Sequence, residues 1–316
     1  MDIFVLQNIW FALICVLLSA FLILGGFDFG ACMLSLRSRR GADFAMKSIL
    51  PFWDANQVWL ITAGGALFAA FPEAYSAVLS NLYVPVMLLL AAVVVRVASI
   101  EFYFAGDSDL WRNFWRRAAA ASAALSMLLL GVALGVVFTG RVFGREGGFW
   151  EAFAALFAPA TVLCGLCVLF FSCVQGGIFL CLSGAEGEEL FFRRVRACFW
   201  LELLCFACYI PCLGLGASGL ALFLAAFAAA LAAHFLFARG AFAGAIAMNS
   251  LFALLAVAAH AAAAYPFVVP PEISVENSSS KMTLTVMLWV AGIGVPLVLA
   301  YTVYAYRVFL RGGARR

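Results

Sequence analysis

Nine stretches of this chain are each long and apolar enough to cross a bilayer, and the charged residues fall almost entirely between them. Backbone polar groups in hydrocarbon must be satisfied within the spanning structure, which leaves only helices and closed barrels. A helix crosses with about 20 apolar residues. The stretches cover residues 8–33, 50–70, 79–101, 118–140, 152–182, 197–214, 219–238, 241–265 and 283–308. None shows the alternating pattern of barrel strands. The expected fold is therefore all-α, an integral membrane protein of nine transmembrane helices forming one polytopic domain over residues 1–316.

Composition agrees. Hydrophobic residues make up 66% of the chain and charged ones 11%, against about 25% charged in soluble domains. That balance excludes a soluble enzyme, a nucleic-acid-binding module and a disordered or fibrous chain. The second stretch departs from the pattern, opening on the polar run Trp53-Asp54-Ala55-Asn56-Gln57. The sixth and seventh are separated by a short reversal, Gly216-Ala217-Ser218-Gly219.

Basic residues set the expected orientation. One set of connections carries Arg37, Arg39, Arg40, Lys47, Arg112, Arg116, Arg117, Arg193, Arg194, Arg196 and Arg239, joined by Arg307, Arg311, Arg315 and Arg316. The opposite set holds only Arg141, Arg145 and Lys281, and Arg96 lies inside a span. The bias predicts an N-out, C-in topology. Residues 1–7 carry one charge, Asp2, and no basic run, so the first span reads as an uncleaved membrane helix. The connection over 266–281 is expected to lie over the outer mouth of the bundle.

Ten cysteines include the spacings Cys164–Cys167 and Cys205–Cys208, but both lie in apolar spans, where cysteine usually packs as a small hydrophobe. The two histidines, His234 and His260, lie near opposite ends of consecutive antiparallel spans. At helical rise their depths differ by roughly 20 Å, too far for one haem iron to be held between them.

Ionisable groups inside spans are costly and are functional candidates by default. Asp28, Asp54, Arg96, Glu101 and Glu202 qualify, all expected in the cytoplasmic half, with Glu202 near the start of the sixth span. Acids gathered on one side with a single arginine suggest a route for protons from the cytoplasm. Arg96 and Glu101 are five residues apart and point to different faces, whereas Asp54 and Gln57 share one. The competing reading is structural, with acids in the interface and Arg96 in a plain helix–helix ion pair. The pairs Gly26–Gly30, Gly131–Gly135 and Gly240–Gly244, and Gly64-Gly65, suit close helix approach. Trp53, Trp59, Trp111, Trp115 and Trp150 fit an interfacial belt.

Several motifs resemble one family. Gly26-Phe27-Asp28-Phe29-Gly30 and Pro51-Phe52-Trp53-Asp54-Ala55-Asn56-Gln57-Val58-Trp59-Leu60, continuing through Gly64-Gly65 to Phe71-Pro72, are similar to subunit II of cytochrome bd-type quinol oxidases. So are Tyr265-Pro266-Phe267-Val268-Val269-Pro270, Leu284-Thr285-Val286-Met287-Leu288-Trp289-Val290 and Pro296.

The resemblance implies two four-helix bundles plus a peripheral helix, in the bacterial cytoplasmic (inner) membrane. It also implies a partner, subunit I, that carries haem b and haem d, oxidises quinol and reduces oxygen to water. A small single-span accessory subunit and a structural quinone occur in some members. On the matching positions Asp54 would be the central proton carrier, Glu101 and Asp28 further carriers, Arg96 an electrostatic tuner and Gln57 polar support. Some members have an acid where this chain has Gly25, so a path through that carboxylate does not transfer. The rival from another class is a proton-coupled secondary transporter, whose mark would be broken helices at matching positions of two repeats. A cytochrome b carrying haem by itself is the other rival, and the histidine depths argue against it.

Overall fold

The computed structural model describes residues 1–35, 39–140, 149–184, 189–213 and 216–313. Arg37, Arg141, Arg145, Arg315 and Arg316, which entered the charge argument, lie outside the described residues. Among the described residues eight helices are long and apolar enough to cross a membrane, and a bent pair makes a ninth span if counted as one.

Helix α1 (Ile3–Leu34) is followed by the short α2 (Arg39–Ile49), which the apolar pattern did not single out. Ala42, Ala45, Met46 and Ile49 are buried, and the spacing i, i+3, i+4, i+7 gives α2 one apolar face. The hydroxyl of Tyr103 donates to Asp43 Oδ1 at 2.5 Å and ties that helix to α5.

The second expected span is α3 (Trp53–Ala70), after which α4 (Pro72–Asn81) leaves at 119°. Proline disfavours helical geometry in the residue before it, and Phe71 leaves the helical region accordingly (φ −131°, ψ 68°). Ser279 closes the end of α3, its backbone N–H donating to the Ala70 carbonyl at 2.8 Å and its hydroxyl to that of Ala69 at 2.6 Å.

Next come α5 (Tyr83–Ala105) and α6 (Asp109–Phe138). The fifth stretch, expected as one span over 152–182, is divided. A short α7 (Phe149–Ala155) precedes α8 (Pro159–Leu182), because Pro159 fixes a new first turn and Ala158 is extended. Helix α9 (Glu189–Tyr209) starts eight residues before the expected boundary and ends in a 3-10 turn, Ile210–Cys212, at Pro211. Then follow α10 (Ala217–Ala238), α11 (Phe242–Ala264), a two-stranded hairpin of β1 (Phe267–Val269) and β2 (Ile273–Ser274), and α12 (Lys281–Gly313). The expected reversal at 216–219 is shorter than read, because Ala217 already opens α10.

Helices α1, α3, α5 and α6 form one bundle and α8 to α11 a second; α8 packs on α1 and α6 to join them. Glycine decides how closely they meet. A Cβ on Gly30 would overlap the Ser172 carbonyl, and one on Gly131 would fall 2.7 Å from the Gly165 Cα. Helix α12 is peripheral: it touches α1 and α3, and only 6% of its apolar run is buried. Two expectations fail locally. Gly240 is not part of a helix contact but caps α10 at φ +74°, the left-handed conformation that glycine adopts without steric cost. Trp59, expected in an interfacial belt, is 5% exposed and packs in the core.

Candidate functional site

Asp28, Arg96 and Asn56 meet in the first bundle. Asp28 stands nearly two turns before the end of α1, Asn56 in the first turn of α3 and Arg96 in the second half of α5. Arg96 Nη1 donates to Asp28 Oδ1 at 2.9 Å, and Asn56 Nδ2 donates to Asp28 Oδ2 at 3.1 Å. Asp28 and Arg96 are both 0% exposed. The guanidinium lies 3.8 Å from the centre of the Phe29 ring, so the face left free by the carboxylate rests on an aromatic quadrupole. Arg96 Nε and Nη2 have no hydrogen-bond partner among the described residues.

The remaining sequence candidates stand apart from this cluster. Asp54 and Glu101 are exposed, and neither joins an ion pair among the described residues. Asp54 occupies the first turn of α3, where the helix dipole favours a negative charge. Glu101 sits one turn before the end of α5. Gln57 is half-buried, and its Nε2 is a buried donor with no partner among the described residues. Gly25 packs on Phe21, and a Cβ there would meet the ring at 2.7 Å, so an acid at this position would displace that phenylalanine.

Arg96 pairs with Asp28 from another helix rather than with Glu101 on its own. The sequence did not single out Asn56 as the second partner, although it lies within the polar run that opens α3. It also gave no weight to a second polar group. Gln175 Oε1 accepts from Asn249 Nδ2 at 2.9 Å, and Gln175 Nε2 donates to Ser250 Oγ at 3.0 Å, linking α8 to α11. An isolated amide in an apolar span was the available signal for both residues.

Glu202 is also displaced from its expected level. The earlier start of α9 puts it at the midpoint of the apolar run Phe191–Cys212 instead of near the start of a span.

The two histidines do not meet to hold one haem between them. His260 Nε2 lies 2.8 Å from Tyr209 Oη and its Nδ1 lies 2.7 Å from the Ala256 carbonyl, so both ring nitrogens are engaged. His234 packs on Phe199 and Trp200 near the other end of α10. No cluster of three or more His, Cys, Asp or Glu among the described residues forms a metal-binding group.

Comparison with known proteins agrees with this architecture. The chain matches the family described as cytochrome bd terminal oxidase subunit II over residues 6–309. It is 34% identical over 215 residues to the cytochrome bd-I ubiquinol oxidase subunit 2 of Escherichia coli K12, covering 64% of this chain and 56% of that one. It is 31% identical over 180 residues to the cytochrome bd ubiquinol oxidase subunit 2 of Bacillus subtilis, covering 56% and 53%. These matches therefore span little more than half the length of the relatives. The bd oxidase structure from Geobacillus thermodenitrificans shares the fold, with a TM-score of 0.79 at 19% identity over 97% of this chain and 99% of that one. A multi-pass membrane protein with two helical bundles and a peripheral helix, this chain belongs to the cytochrome bd terminal oxidase subunit II family.

Proposed function

We propose that this chain is the haem-poor subunit II of a quinol:oxygen oxidoreductase in a bacterial inner membrane, supporting subunit I and conducting protons to the oxygen-reducing site. The observation that carries this reading is the family match over residues 6–309. The buried Asp28–Arg96–Asn56 cluster lies within the motifs that carry the resemblance. The relatives' names speak of ubiquinol, and quinol is the electron donor assigned here. Haems b and d belong to subunit I in this reading, where they supply the electron transfer and oxygen reduction.

This chain's own groups bind and move protons. With the arginine-rich end in the cytoplasm, Asp54 and Glu101 lie near that end of their helices, exposed in the isolated chain. An acid on a span is tolerated where water or another protein covers it, and the facing surface of subunit I is the cover proposed. Asp54 takes protons from cytoplasmic water, Glu101 is a further carrier, and Gln57 offers an unpaired donor one turn along the same face. Asp28 is held by Arg96 and Asn56, so its passing a proton requires that pair to loosen. Arg96 sets the local field. With glycine at position 25, water or a group from subunit I bridges the place where other members carry an acid.

Asp54→Asn tests the route, since it keeps the side-chain shape and removes the transferable proton. Oxygen uptake driven by quinol should fall by about 10²-fold while the complex purifies intact. Unchanged turnover between about pH 6 and 8 would remove Asp54 from the route.

A further inference from the structure

Glu202 lies at mid-depth in the second bundle, 0% exposed, and neither carboxyl oxygen has a hydrogen-bond partner among the described residues. An ionised carboxylate left so would cost several kcal/mol. Among the described residues the titratable groups that interact electrostatically with it are thiols: Cys167 and Cys173 from α8, and Cys198 and Cys205 from α9. No salt bridge among the described residues reaches it.

From Glu202 a polar file leads toward the hairpin end. Cys198, Glu202, Cys205 and Tyr209 fall at i, i+4, i+7 and i+11, which places them on one face of α9. The Ala256 carbonyl only accepts, so His260 Nδ1 carries the ring proton and Nε2 accepts from the Tyr209 hydroxyl. Cys164 lines one cavity with Tyr209 and His260.

This cavity, of about 60 Å³, lies at the Tyr209 end of the file, lined by Cys164, Cys167, Tyr209 and His260 among mostly apolar side chains. A water needs only about 10–15 Å³ of such space. His260 also borders a vestibule of about 370 Å³ at the hairpin end, beside Thr139 and Pro270. Toward the arginine-rich end the neighbouring Val174 and Ile178 of α8 and Phe199 of α9 are buried and apolar.

We propose that Glu202 is a proton-binding site that exchanges with water at the hairpin end of the second bundle, through the Tyr209–His260 pair. Access from one side only lets a membrane acid bind and release a proton without short-circuiting the proton gradient. The site is separate from the acids of the first bundle and does not depend on their role.

Infrared spectroscopy of the purified protein in H2O and D2O tests this without turnover, so its failure is distinct from failure of the oxidase reading. A protonated-carboxyl band is expected that is lost in Glu202→Gln and shifts promptly on transfer to D2O. The shift should be about tenfold slower or more in Tyr209→Phe and His260→Phe. An unchanged carboxyl region in Glu202→Gln, a band that never shifts, or equally fast exchange in those two variants would each overturn the proposal. Dicyclohexylcarbodiimide gives a check on the unaltered protein. This apolar reagent adds to a protonated carboxyl: the acid proton moves to a carbodiimide nitrogen, the oxygen bonds to the central carbon, and the adduct rearranges to a stable N-acylurea. The peptide holding Glu202 should carry the adduct; its absence while other carboxyls are labelled counts against the proposal.

Discussion

Asp28→Asn keeps the shape of the side chain and its contact with Asn56, and removes only the charge opposite Arg96. The guanidinium then remains 0% exposed with no anion beside it, resting on the Phe29 ring and short of partners at Nε and Nη2. Breaking a buried pair from one side costs about 3–5 kcal/mol. The reverse change is milder. Arg96→Leu leaves Asp28 bonded to Asn56, and a carboxyl can take up a proton where a guanidinium cannot release one, so the expected loss is about 1–3 kcal/mol. The double variant, with no charge left in the site, should therefore recover about 2 kcal/mol or more relative to Asp28→Asn alone. Thermal ramps on protein purified in mild detergent, scored by the fraction that stays monodisperse, give the order. Equal stability of Asp28→Asn and the unaltered chain would refute this reasoning, as would a double variant no better than Asp28→Asn.

Gly30→Leu drives a side chain into the Ser172 carbonyl where α1 meets α8; a loss of about 3 kcal/mol or more should appear as poor recovery of folded protein from membranes, and normal yield would show that the bundles can separate there. Asn249→Leu deprives Gln175 Oε1 of its donor; a loss of about 1–3 kcal/mol should show in the same thermal ramp, and an unchanged midpoint would mean the amide pair contributes nothing net.

The spans were legible because hydrocarbon demands a continuous apolar run, and that demand is written residue by residue. Boundaries were harder to read: the end of α3 before Pro72 was placed correctly, but the break at Pro159 that divides α7 from α8 was missed inside a continuous apolar run. The early start of α9 was missed because Phe191-Phe192-Arg193-Arg194 mixes apolar and basic residues, which a helix tolerates where it enters the interface. Asp28 and Arg96 stood out as charges in apolar runs, but their pairing could not be read, since it joins α1 to α5 across 68 positions of sequence. Asn56, Gln175 and Tyr209 were passed over because a neutral polar group in a span carries a weaker signal than a charge. Their partners come from other helices, and only the packed bundle shows them. The motifs around Asp28 and Asp54 carried the family, yet the structure leaves both Asp54 and Glu101 exposed. The subunit I surface proposed to cover them lies outside what one chain encodes by itself.

The most direct test is to tag this chain, purify it from native membranes in mild detergent, identify what co-purifies by mass, and record the reduced-minus-oxidised visible spectrum with quinol-driven oxygen uptake. The account predicts one haem-bearing partner at equal stoichiometry, spectral bands of haems b and d, and oxygen uptake that depends on quinol. A stable chain isolated without haem or partner, and without oxygen uptake, would contradict it.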